Sequence, residues 1–218
     1  MNIKKISDYR TLVFDCDGVV LNSNHIKTNA FYKTALPYGE EAAIELVKHH
    51  TKNGGISRYK KFEYFLEAIA PKAKGPNLVD LLEHYAREVR EGLLTCDIAP
   101  GIKELREQTQ ESRWLIVSGG DQDELRLVFK SRGLEKIFDG GIFGSPNQKE
   151  VILDREIASG NIQSDALFIG DSKYDYESAQ HAGLDFVFVT GWSEVSDWPS
   201  WVKSNKIEHI ESIKDLVS

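Results

Sequence analysis

The 218-residue sequence predicts an α/β fold, a parallel sheet covered by helices with a helical segment inserted after the first strand. Two patterns carry this prediction. Short apolar runs alternate with amphipathic stretches through the second half of the chain, the pattern of strand–helix–strand units with parallel strands. Residues from about 23 to 90 break that rhythm, showing helical periodicity and no strand pattern. With 41% hydrophobic and 28% charged residues, the composition suits one large globular core, or a core plus an insertion.

The first strand is expected over 11–15, where T-L-V-F-D ends an apolar run on an acid. Further strands are expected over 114–118, 141–144, 166–171 and 186–190, with helices over 101–110, 121–131, 147–159 and 173–182. Runs such as L-F-I-G and F-V-F-V lack alternation, which fits burial on both faces of a sheet. In the insertion, Tyr59, Phe62, Leu66 and Ile69 fall on one helical face. The pair Gly54-Gly55 separates two helical stretches, and Pro71 with K-G-P-N separates the next two. The chain returns to the core near 96–100. The expected division is therefore a core of 1–21 and 96–218 and a helical insertion of 22–95. Trp192, Trp198 and Trp201 in the tail read as core packing, with an aromatic lip over a pocket as the alternative.

A formal net charge of −7, with no basic stripe to neutralise phosphates, argues against nucleic acid as a partner. No apolar run is long enough to span a membrane, and the N-terminus lacks the apolar core of a signal peptide. Cys16 and Cys96 are too few for a disulfide framework or a zinc cage. Cys16 alternates with two acids and reads as core packing. A cytoplasmic protein, monomer or homodimer, is expected.

The chemistry begins at D-C-D-G. In an extended chain residues two apart face the same side, about 6–7 Å from one another, so Asp15 and Asp17 aim at one spot. Paired buried acids are costly unless a cation or a reaction uses them. Gly18 lets the backbone turn away above them. Three further features stand at expected strand ends, where open parallel sheets bind ligands. Ser118 precedes Gly119 and Gly120, whose bare backbone can approach an anion. Lys149 opens a helix after G-S-P-N-Q. In G-D-S-K-Y-D, Asp171 ends a strand and Asp175 lies one helical turn on. Each alone has a plain structural reading: Ser118 and Asp171 as helix caps, Lys149 as a solvated lysine, Asp175 as a favourable charge at a helix start. Their joint occurrence in this order is hard to obtain by chance.

In these four motifs the sequence resembles the haloacid dehalogenase superfamily, especially its phosphoglycolate phosphatase-like and β-phosphoglucomutase-like branches. The resemblance spans nearly the whole chain. It implies a Rossmann-like three-layer core with an inserted α-helical cap. It also implies Asp15 as nucleophile, Asp17 as acid/base, Ser118 and the Gly119 and Gly120 amides as phosphoryl binders, and Lys149 as a charge-neutralising group. Mg²⁺ would be held by Asp15, the Asp17 backbone carbonyl and Asp171, with Asp175 as ligand or support.

The segment N-G-G-I-S-R-Y-K-K-F resembles the family's G-x-S-R cap loop, which implies that Arg58 contacts the substrate. The other reading is a solvated basic helix start, and helical geometry lets only one or two of Arg58, Lys60 and Lys61 face inward. Asn22 stands where many relatives have an acid, and Lys27 where many have a histidine. A cationic Lys27 would favour an acidic or doubly anionic substrate. The expected function is a Mg²⁺-dependent phosphomonoester hydrolase working through an aspartyl-phosphate on a small phosphorylated metabolite, a sugar phosphate or phosphorylated small acid. A phosphomutase using the same Asp15 is the alternative. A non-enzymatic phosphoacceptor domain is disfavoured, because such domains lack the insertion and need no acid two residues past the nucleophile. A dehalogenase is disfavoured by Asp17, Gly18 and the acidic fourth motif.

Overall fold

The computed structural model describes residues 4–217. Six parallel strands form one sheet: β1 (Thr11–Phe14), β2 (Arg113–Asp121), β3 (Gly141–Ser145), β4 (Ala166–Gly170), β5 (Asp185–Val189) and β6 (Glu208–Ile210). Their order is β3-β2-β1-β4-β5-β6, so the chain starts in the middle and winds outward twice. The order reverses at β1, opening a crevice at the carboxyl ends of β1 and β4 where such sheets bind ligands.

Side chains along the inner strands alternate between two cores. Leu12, Phe14, Trp114 and Ile116 belong to one, with Leu125, Val128 and Phe129 packed over them. Val13, Leu115 and Val117 belong to the other, under Ile152, Leu153 and Ala179. Burial on both faces explains the unbroken apolar runs and makes the core a three-layer, Rossmann-like α/β fold. Cys16 is fully buried in the first core.

Between β1 and β2 lie α1 (Asn24–Ala35), α2 (Glu40–Lys52), α3 (Arg58–Tyr64), α4 (Leu78–Thr95) and α5 (Ile102–Gln108). The helix α3 runs on into a π-type turn over Phe65–Ile69. Asn77 starts α4 with a capping box, accepting from the Val79 and Asp80 amides while Asp80 accepts from its own. An aromatic cluster joins α1, α3 and α4: Phe31 lies 4.4 Å from Tyr85 and 5.2 Å from Phe62, ring centre to ring centre.

The buried stripe of α3 is rotated from the expected apolar face. Arg58, Lys61, Phe62 and Phe65 are buried, whereas Leu66 and Ile69 are only partly covered. This face meets the crevice as well as the core, so two cations lie on it. Lys60 points outward and pairs with Glu63.

The remaining helices are α6 (Gln122–Ser131), α7 (Lys149–Ala158), α8 (Lys173–His181) and α9 (Trp198–Asn205). Strand β2 continues through Gly119 and Gly120 to Asp121, beyond the expected end at 118, with a register shift against β3 in that stretch. Strand β6 and helix α9 are the elements the sequence pattern does not announce. Trp192 packs against the first core, and Trp198 and Trp201 against the second.

Candidate active site

The crevice holds the four motifs. The Asp15 amide donates to the Ile169 carbonyl at 2.9 Å, fixing the residue after β1 beside β4. The chain then turns tightly, with the amides of Val20 and Leu21 both donating to the Cys16 carbonyl at 2.9 Å. Gly18 has φ +73°, and a Cβ there would lie 2.1 Å from Asp171 Oδ2. Only glycine lets the first and fourth motifs approach so closely. Gly170 works similarly: a Cβ would lie 2.4 Å from that of Asp175.

Asp175 is fully buried at the start of α8, in a capping box with Ser172. Its Oδ2 accepts from the Ser172 hydroxyl at 2.6 Å, the Ser172 amide at 3.0 Å and the Asp171 amide at 3.2 Å. Its Oδ1 meets Lys149, the first residue of α7. Lys149 Nζ also lies 3.0 Å from Asp15 Oδ1, an ion pair without a well-aligned hydrogen bond. One buried ammonium therefore joins the first, third and fourth motifs. Ser118 is fully buried, and its hydroxyl accepts from the Gly120 amide at 3.0 Å. Gly119 and Gly120 line the cavity beside it.

Asp171 Oδ2 accepts from Asn24 Nδ2 at 2.7 Å, and its carbonyl accepts from the Ser193 hydroxyl at 2.6 Å. Asp17 is gripped at both oxygens: Ser23 donates to Oδ1 at 2.6 Å, and Lys27 lies 2.5 Å from Oδ2. Asn22 instead faces the return of the chain, its amide donating to the Asp97 carbonyl at 3.0 Å.

Burial pushes the Asp15 carboxyl up to about 7, against the pull of Lys149. Burial, with Asp15 and Asp175 adding repulsion, pushes Asp171 well above the usual carboxylate range. Burial also disfavours the Asp17 anion, yet Lys27 and Ser23 outweigh it and hold that carboxyl below its ordinary value. Carboxylate oxygens of Asp15, Asp171 and Asp175 lie within 4.8 Å of one another, all in buried residues. Ionised together, the three acids would exceed the one lysine among them in charge, and their hard oxygen donors suit Mg²⁺.

A cavity of about 60 Å³ runs from Asp15, Asp17 and Asp171 to the helical insertion. Its walls include Lys27, His50, Gly55, Arg58, Lys61, Tyr85 and Glu194. Arg58 is ion-paired with Glu124 of α6 and stacks 4.7 Å from the Tyr85 ring centre. Tyr59 donates to Asp121 at 2.7 Å, a second link from α3 to the sheet layer. The Gly55 carbonyl sits so close to Gly119 that a Cβ there would be 1.9 Å away. Ser23, Asn24, His50 and Glu194 escape a reading by motif, since each reaches the crevice from outside the four motifs. Glu194 and Val195, not the tail tryptophans, border the cavity.

The family model for haloacid dehalogenase-like hydrolases matches residues 12–189. A phosphorylated carbohydrates phosphatase of Thermotoga maritima is 23% identical over 187 residues, covering 81% of this chain and 83% of that protein. The crystal structure of CbbY from Rhodobacter sphaeroides in complex with phosphate superposes with a TM-score of 0.70 at 17% identity, over 95% of this chain and 96% of that one. A haloacid dehalogenase-like family protein from Streptococcus pneumoniae gives 0.66 at 20% identity, over 93% of each chain. At these identities the structural likeness is one of fold.

Proposed function

The chain belongs to the haloacid dehalogenase-like hydrolase family, and on that premise we propose a Mg²⁺-dependent phosphomonoester hydrolase acting on a small phosphorylated metabolite, a sugar phosphate or phosphorylated small acid. The observation that carries the reading is Asp15 at the sheet's crevice, with Asp171, Asp175 and Lys149 buried around it. In this reading 22–95 is a cap over a core of 1–21 and 96–218, and the protein works in the cytoplasm.

Asp15 is the nucleophile. One of its oxygens bonds to phosphorus as the ester oxygen leaves, and Asp17, held as an anion by Lys27 and Ser23 at rest, takes up a proton from solvent and gives it to that oxygen. Water then attacks the aspartyl-phosphate and gives a proton back to Asp17. Inorganic phosphate departs and Asp15 is regenerated. Lys149 offsets charge on the phosphoryl oxygens, with Ser118 and the Gly119 and Gly120 amides as further donors. Asp175 holds Lys149 in place and fixes the turn after β4. Asp15, Asp171 and the Asp17 carbonyl would hold Mg²⁺, with Asp175 beside them. Bound there, the ion supplies the positive charge that lets a carboxylate and a phosphoryl group meet.

The experiment is a phosphate-release screen over phosphorylated metabolites, with Mg²⁺ and with EDTA. Mg²⁺-dependent release of inorganic phosphate is expected. Isomerisation of a sugar phosphate without release would make the enzyme a mutase, and no turnover of any ester would overturn both.

A further inference from the structure

Three cations of the helical insertion line the cavity, and two are already committed. Lys27 is neutralised by Asp17, and Arg58 by Glu124. Lys61 is different. It is 2% exposed, yet among the described residues it has no ion-pair partner, only a 2.7 Å contact with His50 Nδ1 and the Phe31 ring 5.5 Å away. A buried ammonium without a counter-charge is costly, so its retention calls for a use.

His50 supplies an independent observation. An ammonium has donors only, so Nδ1 accepts from Lys61 and the ring proton stands on Nε2. That Nε2 is buried and has no hydrogen-bond partner. Its nearest acid is Glu194 at 3.9 Å, which already accepts from Thr28 at 2.9 and 3.0 Å. The wall of the cavity contributed by α2 and α3 thus offers two unused N–H groups on Lys61 and one on His50. Asp15, Asp17 and Asp171 line the same cavity.

We propose that Lys61, oriented by His50, binds a second oxyanion of the substrate, remote from the phosphoryl group that is transferred. This rests on the phosphatase reading and narrows its substrate class to phosphorylated acids or bisphosphates. A carboxylate and a second phosphate share the chemistry that these donors recognise. Phosphate esters without a second anionic group leave Lys61 uncompensated and bind less well.

The test uses the full chain with Mg²⁺ and two matched pairs of esters. One pair is 2-phosphoglycolate and 2-hydroxyethyl phosphate, which differ in a carboxylate. The other is 1,3-propanediol bisphosphate and 3-hydroxypropyl phosphate, which differ in a phosphate. Wild type favours the anionic member of at least one pair in kcat/KM, and the pair with the larger ratio identifies the oxyanion. Lys61→Met lowers that ratio roughly ten- to hundredfold, the range of a charge-assisted hydrogen bond, and Lys61→Arg restores part of it. The melting temperature of Lys61→Met equals or exceeds that of wild type, because an uncompensated buried charge is gone. Lys61→Gln serves the same comparison if the Met variant does not fold. Ratios near one in wild type, or a ratio unchanged by the substitutions, overturn the proposal while p-nitrophenyl phosphate turnover keeps the phosphatase reading. If no ester is hydrolysed, that reading falls and calorimetric binding of 2-phosphoglycolate decides the site. Weaker binding by Lys61→Met upholds it, and equal binding overturns it.

Discussion

Lys27 Nζ lies 2.5 Å from Asp17 Oδ2 while the Ser23 hydroxyl holds Oδ1 at 2.6 Å, so the proposed acid/base is fixed at both oxygens by the start of the helical insertion. With both oxygens accepting, Asp17 serves the leaving oxygen only after one of these donors gives way to a proton. Asp17→Asn keeps the side chain's shape but cannot exchange a proton, and it leaves Lys27 without its counter-charge. Alkyl phosphates, which need a proton on the leaving oxygen, should lose about 10²–10⁴-fold in kcat. p-Nitrophenyl phosphate, with a good leaving group, should lose far less. Equal losses on both esters would remove Asp17 from the acid/base role.

Asp15→Asn should be harsher and less selective. The amide is no nucleophile toward phosphorus and a poor ligand for Mg²⁺. Turnover of every ester should fall to background. Calorimetry should also register weaker Mg²⁺ binding, a readout independent of turnover. The fold should persist, because the substitution keeps volume and relieves a buried acid. Measurable turnover by this variant under multiple-turnover conditions would exclude Asp15 as nucleophile.

The acids of this site were legible because each follows an apolar run that must be a buried strand. Asp15 and Asp171 therefore had to emerge at one sheet edge. Gly18 was legible as a turn residue, though not for the reason the structure gives: it leaves room for the fourth motif's Asp171 carboxylate. The side chains that support these acids were not legible. Ser23 and Asn24 open α1, His50 lies in α2 and Glu194 follows β5, and no local periodicity marks a side chain whose partner is 147 positions away, as with Asn24 and Asp171. Helical periodicity also misplaced the inner face of α3, since it assumes that what is buried is apolar. Strand β6, with the sequence E-H-I, is too short and polar to signal itself.

Gly119 bears on how the insertion seats. The Gly55 carbonyl occupies the space that a side chain at 119 would take. Gly119→Ala should push the 54–57 loop away while leaving β2 intact. The expected result is a kcat/KM lowered at least tenfold, through a rise in KM and a fall in kcat together, with little change in melting temperature. Small-angle scattering should report a larger radius of gyration. Wild-type kinetics in this variant would mean that the close seating of the loop has no part in turnover.

Arg58 and Glu124 should behave as one unit. Their ion pair is mostly buried and ties α3 to α6, so removing either partner leaves the other uncompensated. Arg58→Ala and Glu124→Ala should each lower kcat/KM, and the double variant should be no worse than the more damaged single one. A coupling of about 0.5–3 kcal/mol is typical of contacting pairs. Strict additivity would instead assign Arg58 to the substrate alone, as the G-x-S-R loop implies.

The last prediction concerns stability and pH. Burial pushes Lys61 down to about 7, with Lys27 and Lys149 adding repulsion that Asp17 and Glu194 only partly offset. His50, against which Lys61 packs, is itself held well below its ordinary value by burial and so stays neutral. The unfolded chain keeps the lysine at its ordinary value near 10.5. Below about 7 both states carry the proton, and the native state bears the full cost of burying it. Between about 7 and about 10.5 the unfolded state holds more protons, so stability rises with pH there. The slope from this one group is at most about 1.4 kcal/mol per pH unit. Lys61→Met should be the more stable protein at neutral pH, with its advantage shrinking as pH rises toward 10. Urea melts of both proteins at matched pH, in EDTA, measure the difference directly. A difference independent of pH would mean that Lys61 keeps its ordinary protonation in the folded state, with a counter-charge supplied from elsewhere.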